Sequence, residues 1–311
     1  MTIITDPIFH NEDAALRHIE ASRWNDEPFC PHCGSTRVRR MGGKTQAGMF
    51  LCNDCRDKFT VRTGTIMERS HVPLHKWLLA THLMAASKKG MSAKQMERML
   101  GVTYKTAWFL CHRIREAMAG SNPTGPLGGP DKIIEADETY VGGKDSNKHA
   151  HKRTSGGSGS TGKQAVVTLV ERQGYVRSFH VANVTGATLR AVLVTNAHRS
   201  SHLMTDEHAG YKRVGAEFAA HSSVAHTAGE YVRGKVLPIH SNTVEGYFSI
   251  LKRGIVGVYH HVSPAHLSRY TAEFDCRYNT RDLTDGERAS VILKGGEGRR
   301  LTYRRINRLA A

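Results

Sequence analysis

The 311-residue sequence contains no apolar run approaching the length that spans a bilayer, so a transmembrane helix is excluded. Its first residues, MTIITDPIFHNEDAA, carry acids and lack a basic segment followed by a hydrophobic one, so they do not read as a secretory signal. Cysteine is scarce, at six residues, which argues against a disulfide-stapled secreted scaffold. Cys111 and Cys276 lie among apolar or mixed residues and read as reduced core thiols. The compartment expected is a reducing one, a bacterial cytoplasm, with the protein nucleoid-associated. Acidic residues are also few: 28 Asp and Glu face 44 Lys and Arg, a formal charge of +16 before any of the 19 histidines titrates. Such a surplus favours an anionic polymer as partner, through phosphate contacts and counterion release. Charge alone leaves a basic ribosomal or membrane-surface protein as an alternative. No internal repeat is present.

Four of the six cysteines fall in one stretch, CPHCGSTRVRRMGGKTQAGMFLCNDC, as two C-x-x-C pairs: Cys30 with Cys33, and Cys52 with Cys55. Each pair turns two sulfurs toward one centre, and two such turns supply the four thiolates that a structural zinc ion takes. A pair of disulfides or a thioredoxin-like redox motif fits less well, because there is no signal peptide and no βαβ context. Zinc here implies a module too small to bury a sufficient core.

The chain divides by pattern. Residues 1–65 form the zinc-ribbon module, in which FLCNDCRDKFTVRTGTIM reads as strand, turn, strand, with Phe59, Val61 and Thr63 alternating. Residues 66–120 are helical. HKWLLATHLMAASKK has helical spacing, Gly90 breaks it, and SAKQMERMLGVTYKTAWFLCHRIREAM resumes it. Within that last piece Ser92 caps a short helix running to Leu100, Gly101 and Val102 turn the chain, and Thr103 caps a second helix. Ala107, Leu110, Cys111 and Ile114 then share its inner face. This outline is helix-turn-helix-like, and it puts Tyr104, Lys105 and Thr106 at the start of a recognition helix. A plain αα-hairpin in a bundle is the alternative.

Residues 121–132, SNPTGPLGGPDK, have the composition of a linker. Strands and helices alternate beyond it: IIEADETYVGG, then KQAVVTLVER and GYVRSFHVA joined at Gln173-Gly174, then a helix, the short strand SHLMTDE and two amphipathic helices. KDSNKHAHKRTSGGSGSTGK reads as a mobile basic loop, and residues 283–311 as a basic tail.

Carboxylates interrupt these apolar strands. IIEADETYVGG places Glu135 and Asp137 on one face, Asp206 ends SHLMTDE, and Glu245 stands in the first turn of a helix with Lys252 two turns on. Three such groups brought together would repel by about 4 kcal/mol per pair at roughly 4 Å and an effective dielectric of about 20. One or two Mg²⁺ or Mn²⁺ ions would compensate and would suit phosphoryl chemistry. The order β-β-β-α-β-α, with acids on the first strand, the fourth and a later helix, is that of a ribonuclease-H-like fold. Surface carboxylates at strand ends, and a Glu favouring a helix N-terminus, are the alternatives.

With these residues in view, the sequence resembles DDE-type insertion-sequence transposases that carry an N-terminal zinc ribbon, the ISXO-two-like group related to Merlin elements. The resemblance runs from CPHCGS to RYNTR. FTVRTGTIMERSHVPLHKW, ADETYVGGK, the TDEHAGY block and HSNTVEGYFSILKRGIVGVYHHVSPAHLSRYTAEFDCRYNTR carry it. It implies an α+β multidomain protein: zinc ribbon, helix-turn-helix-like segment, and a ribonuclease-H-like α/β catalytic domain with a mixed sheet over residues 133–282. It also implies Mg²⁺-dependent cleavage and strand transfer on double-stranded DNA, both element ends and target, by a homo-oligomer, with no membrane partner. Asp137 and Asp206 match the first two acids. The third position is Glu or Asn in this group, and both Glu245 and Asn242 are present. Glu245 is the choice, since a carboxylate is the stronger ligand, with Asn242 as a supporting or substitute one. Lys252 would contact phosphate near the scissile bond, with Arg253 beside it. A non-catalytic zinc-ribbon regulator of DNA and a metal-dependent nuclease without strand transfer stand as rival readings.

Overall fold

A computed structural model of the chain describes residues 4–25, 27–43, 46–143, 149, 151, 153, 161–225, 229–230, 232–234 and 238–302. The chain forms two compact units: residues 1–121 with 280–311, and residues 122–279.

In the first unit, helix α1 (Glu12–Trp24) starts at Asn11, whose side chain accepts from the Ala14 amide, and ends at left-handed Asn25. The strand reading of this module leaves that helix out. Three short antiparallel strands follow in the order β1 (Val38–Arg40), β2 (Met49–Cys52), β3 (Lys58–Thr60). Trp24 meets Phe50 and Phe59 edge-on, at ring separations of 5.2 and 5.8 Å, and those two rings stack at 5.4 Å. These aromatics form the apolar side of the small ribbon sheet.

Helix α2 (Leu74–Ala86) opens after Pro73, which offers no side-chain cap. The Glu12 carboxylate caps it instead, accepting from the Leu74 and His75 amides at 2.9 and 3.2 Å. Although burial acts to raise Glu12, these N–H bonds and His75 hold it below the ordinary carboxylate value. Helices α3 (Ala93–Leu100) and α4 (Tyr104–Ser121) follow. The Arg113 guanidinium, buried on α4, donates to the carbonyls of Ile66, Glu68 and Leu301 and ties three separate segments together.

The C-terminal residues correct an expectation. Part of the segment read as a basic tail is helix α9 (Asp285–Gly295), opened by a capping box between Thr284 and Glu287. It packs on α2 and α4; Ile292 is fully buried, and Arg288 donates to the Ala85 carbonyl at 2.8 Å. One buried aliphatic on a polar helix is too weak a pattern to read as a core element. Residues 303–311 of the tail lie outside the described residues. Residue 65 is likewise no boundary between compact units, because the Thr65 backbone bridges to Glu297 and the Ile66 amide donates to Gly296.

The second unit is built on a mixed five-stranded sheet ordered β6-β5-β4-β7-β8. Strand β4 (Ile133–Val141) lies at its centre, antiparallel to β5 (Gln164–Glu171) and parallel to β7 (His202–Thr205). Strand β6 (Val176–Val181) follows β5 through a tight turn at left-handed Gln173, and β8 (Ala220–Ser223) runs parallel to β7. Helices α5 (Gly186–Asn196) and α6 (Ala209–Gly215) cover one face, where Ile134, Ala136, Leu189, Leu193, Leu203 and Tyr211 are buried. Helices α7 (Asn242–Gly254) and α8 (Leu267–Asn279) cover the other, against Val141, Val166, Val170 and Val176. Because β4 is covered on both sides, its apolar residues do not alternate with polar ones.

The expected linker over residues 121–132 is in part core. Leu127 is buried, and its backbone pairs with the 196–198 segment. Gly128, at φ +84°, allows this: a Cβ there would lie 2.2 Å from the Ser201 hydroxyl. Pro and Gly surround the one anchoring leucine and mask it in the sequence. Most of the basic loop 144–163 lies outside the described residues.

Candidate functional site

Strand pairing brings the first two acids together. Ala136 of β4 is in register with Thr205, the last residue of β7, so Asp137 on β4 and Asp206 just beyond the end of β7 follow side by side. The carboxyl of Asp137 is pushed up to about 8, first by burial and next by the negative charge of Asp206, with Glu138 and Glu245 adding to it. Its Oδ1 accepts the Glu138 amide at 2.7 Å, and Asp206 Oδ1 accepts the His208 amide at 3.0 Å. Glu138 points to the opposite face, accepts the Tyr211 hydroxyl at 2.8 Å and is also raised, by burial first.

Glu245 and Asn242 are exposed on the first turn of α7, and Ser241 donates to Glu245 Oε1 at 3.0 Å. Lys252 and Arg253 are exposed on the last turn. The Lys252 ammonium lies 6.0 Å from the Phe248 ring centre, and Arg253 bonds back to Ser249. Among the described residues, the four cysteines are the set already at ion-binding spacing. Asp137, Asp206 and Glu245 are not at that spacing, yet Asp206 and Glu245 are near enough to raise Asp137. A half-buried, raised Asp137 beside further carboxylates is a donor set that suits a hard divalent cation.

Glu135, noted in the sequence beside Asp137 but given no role there, and Arg172 organise this end of the sheet. Glu135 is fully buried on the α7 face of β4, where it accepts from Arg172 Nε at 2.6 Å, the Thr243 amide and hydroxyl at 2.8 Å each, and the Val244 amide at 3.1 Å. Arg172 also donates to the carbonyls of Pro238 and His240. Burial first, then Arg172, lowers His240 against the opposing charge of Glu135, and its Nδ1 lies 3.3 Å from both the Asn242 amide and Glu135 Oε1. Farther along α7, the Tyr247 hydroxyl donates to buried Asp275 of α8 at 2.6 Å, and Ser178 of β6 donates to the same carboxylate from both its amide and its hydroxyl. The sequence signal for Glu135 was present: a charged residue inside an apolar strand needs a partner.

In the first unit, the four sulfurs lie within 4.8 Å of one another, with Cys30–Cys55 and Cys33–Cys52 separations of 3.6 Å. A tetrahedron with Zn–S bonds of about 2.3 Å has edges of about 3.8 Å, so the donors fit zinc. Backbone N–H groups of Cys55 and Asp54 pull Cys52 down to about 7. Although the Asp57 amide favours its thiolate, Cys55 is pushed up to about 12 by burial and the neighbouring sulfurs. Four thiolates therefore need a cation to coexist.

The α3–α4 pair has the anticipated local form. The Ser92 side chain accepts the Gln95 amide, Gly101 closes α3 in the left-handed conformation at φ 58° and ψ 47°, and Thr103 accepts the Thr106 amide at 3.3 Å. Ala107, Leu110, Cys111 and Ile114 are buried. Tyr104 and Lys105 are exposed and Thr106 is half-buried, with the Lys94 ammonium 5.7 Å from the Tyr104 ring centre.

A mixed sheet of order β6-β5-β4-β7-β8 with Asp137 on its central strand and Asp206 at the end of the parallel neighbour, together with a four-cysteine ribbon, defines a zinc-ribbon protein with a ribonuclease-H-like domain. Residues 126–279 match the ISXO2-like transposase domain and residues 10–58 the transposase zinc-ribbon domain, both of the IS1595 type. A relative from Halobacterium salinarum, described as an uncharacterized protein in transposable element ISH50, is 30% identical over 298 residues, 92% of this chain and 97% of the relative. The chain belongs to the IS1595 family of DDE transposases with an N-terminal zinc ribbon. No helix among the described residues is long and apolar enough to cross a membrane.

Proposed function

We propose that this chain binds the terminal inverted repeats of an insertion sequence and catalyses divalent-metal-dependent cleavage and strand transfer of double-stranded DNA. The observation that carries the reading is Asp137, pushed up to about 8 by burial and by the acids Asp206 and Glu245. Nothing in the apolar strand rewards such a group, whereas a cation shared by the three carboxylates does. Asp137, Asp206 and Glu245 would hold Mg²⁺ or Mn²⁺, with the neutral amide of Asn242 as a weaker neighbour. When bound, the cation supplies the charge that activates an attacking oxygen and stabilises a leaving one.

The chain's own residues align the DNA. Lys252 and Arg253, exposed on the same helix as Glu245, meet the phosphates flanking the scissile bond. Asp137 on β4 and Asp206 just beyond the end of the neighbouring β7 would flank the reacting phosphorus. Water attacks there and a P–O3′ bond breaks. The freed 3′-hydroxyl then attacks a target phosphodiester in line, giving up its proton and forming a new P–O bond as the target's own P–O3′ bond breaks and takes a proton to leave as a 3′-hydroxyl. The helix-turn-helix-like pair and the ribbon recognise the ends, and joining two ends calls for a homo-oligomer on DNA. Labelled terminal DNA incubated with Mg²⁺ tests the reading. Joined product supports it, cleavage without joining supports a nuclease, and binding alone supports a regulator.

Two smaller outcomes are expected. Lys105→Ala should weaken binding to all sequences alike and reduce the slope of log affinity against log salt by about 1. Titration of binding across salt concentrations measures it, and an unchanged slope removes Lys105 from the DNA interface. Cation binding at pH 7 should release about one proton, because Asp137 near 8 is mostly protonated there and ionises on ligation. Calorimetry in buffers of different ionisation enthalpy reads that number, and zero release would mean that Asp137 is not a ligand.

A further inference from the structure

We propose that Glu135 is a positioning residue that sets the place of Glu245 relative to Asp137 by clamping the N-terminus of α7 onto strand β4. The proposal rests on the reading of Glu245 as the third ligand. The clamp is geometric. Helix α7 opens at Ser241, whose own side chain makes no capping bond to the helix amides. The first-turn amides of Thr243 and Val244 turn instead to Glu135, 108 and 109 positions earlier in the chain, at 2.8 and 3.1 Å, and the Thr243 hydroxyl adds a third bond at 2.8 Å. A carboxylate at a helix N-terminus satisfies amides that otherwise lack partners and faces the positive end of the helix dipole.

Glu135 itself has no freedom to wander. It is fully buried on the central strand, and Arg172 grips it at 2.6 Å while also holding the carbonyls of Pro238 and His240, the residues that lead into α7. An ion pair buried this deeply contributes little net stability over an apolar replacement. What it adds is direction, since the three bonds to Thr243 and Val244 run from the strand that bears Asp137 to the turn that bears Glu245, and Arg172 joins the same carboxylate to the residues before that turn. Glu135 lies two residues before Asp137 on the same strand face, and the amides it receives lie one and two residues before Glu245. The clamp thus spans the two candidate ligands on separate elements and fixes the gap between them. Glu135 is fully enclosed by Thr243, Val244, Arg172 and His240, whose Nδ1 lies 3.3 Å from its Oε1, so its proposed effect is exerted through the placement of Glu245.

The test is a double-mutant cycle read by Mn²⁺ binding, followed by electron paramagnetic resonance on the full-length chain without DNA. Glu135→Gln, which leaves one acceptor oxygen and turns an NH₂ toward donors, should weaken Mn²⁺ about ten-fold. In a Glu245→Gln background the same change should cost less than about two-fold, because its intermediary is already gone. Equal losses in both backgrounds, or no loss in the native one, would overturn the clamp. A Glu245→Gln variant that binds Mn²⁺ as well as the native chain, while Asp137→Asn does not, would instead overturn the Glu245 assignment beneath it. If Glu135→Gln does not fold by circular dichroism, Thr243→Val carries the same cycle. It removes only the hydroxyl bond, and about a two- to three-fold loss that vanishes in the Glu245→Gln background is expected. An unchanged affinity there would count against the proposal.

Discussion

Asp137→Asn should reduce both cleavage and joining of terminal DNA by at least about 10³-fold, roughly 4 kcal/mol of transition-state stabilisation, while affinity for the DNA ends stays within about two-fold. Asp206→Asn should do the same. Asparagine keeps the shape and the oxygen that accepts the Glu138 amide, but it brings only a neutral carbonyl to the cation. A second measurement separates lost chemistry from lost fold. The carboxyl of native Asp137 is raised from 3.8 to about 8. The folded state therefore holds its proton more tightly than the unfolded chain does. The stability this confers is complete below about pH 4 and is lost as pH climbs toward 8. Asparagine never ionises and escapes that loss. Without added metal, Asp137→Asn should thus melt at a higher temperature than the native chain at pH 8, with the difference vanishing near pH 4. Adding Mg²⁺ should reverse the order at pH 8, because only the native site gains from binding. A variant that melts lower at every pH, or that loses DNA binding, would show that Asp137 serves the fold rather than the reaction.

The second large effect belongs to the ribbon. Cys33→Ser should abolish stoichiometric zinc and, with it, recognition of the element ends, lowering specific DNA affinity by about 100-fold or more. Strands of three and four residues make a sheet too small to persist unaided. Its apolar side amounts chiefly to Trp24, Phe50 and Phe59. A structural zinc ion contributes about 10–16 kcal/mol to folding in modules of this kind, so three sulfurs in place of four remove more than the aromatic cluster can supply. Metal analysis of the purified chain, hydrogen exchange over residues 30–60 and end-binding assays together test this. Exchange in residues 122–279, a unit with its own core, should be unchanged. End recognition retained by a variant that carries no zinc would refute the role given to the ribbon.

The readable parts of the fold are those written in local chemistry. Two C-x-x-C turns can be read as a metal cluster because each turn determines its own geometry, and the four sulfurs do meet. Ser92, Gly101 and Thr103 mark helix ends through bonds to neighbours three or four residues away, so the α3–α4 boundaries follow from the residue types alone. The parts that escape reading depend on distant partners. Leu127 resembles a linker residue until the 196–198 backbone pairs with it. Helix α9 resembles a polar tail until α2 and α4 receive Ile292 and Arg288.

The candidate site divides along the same line. Asp137, Asp206 and Glu245 stand out in the sequence because a carboxylate at an apolar strand end, or early in a helix, is chemically conspicuous wherever it occurs. Their order along the chain, and the family motifs around them, need no coordinates. Neighbourhood does: the Ala136–Thr205 register brings two of them side by side, and Glu135 holds the first-turn amides of α7, the helix that carries the third, while Arg172 holds the residues leading into it. Residue type sets what a side chain can bind. Contacts across more than a hundred positions set what it can reach, because the free energy that holds them comes from burial and pairing that no local stretch of chain possesses.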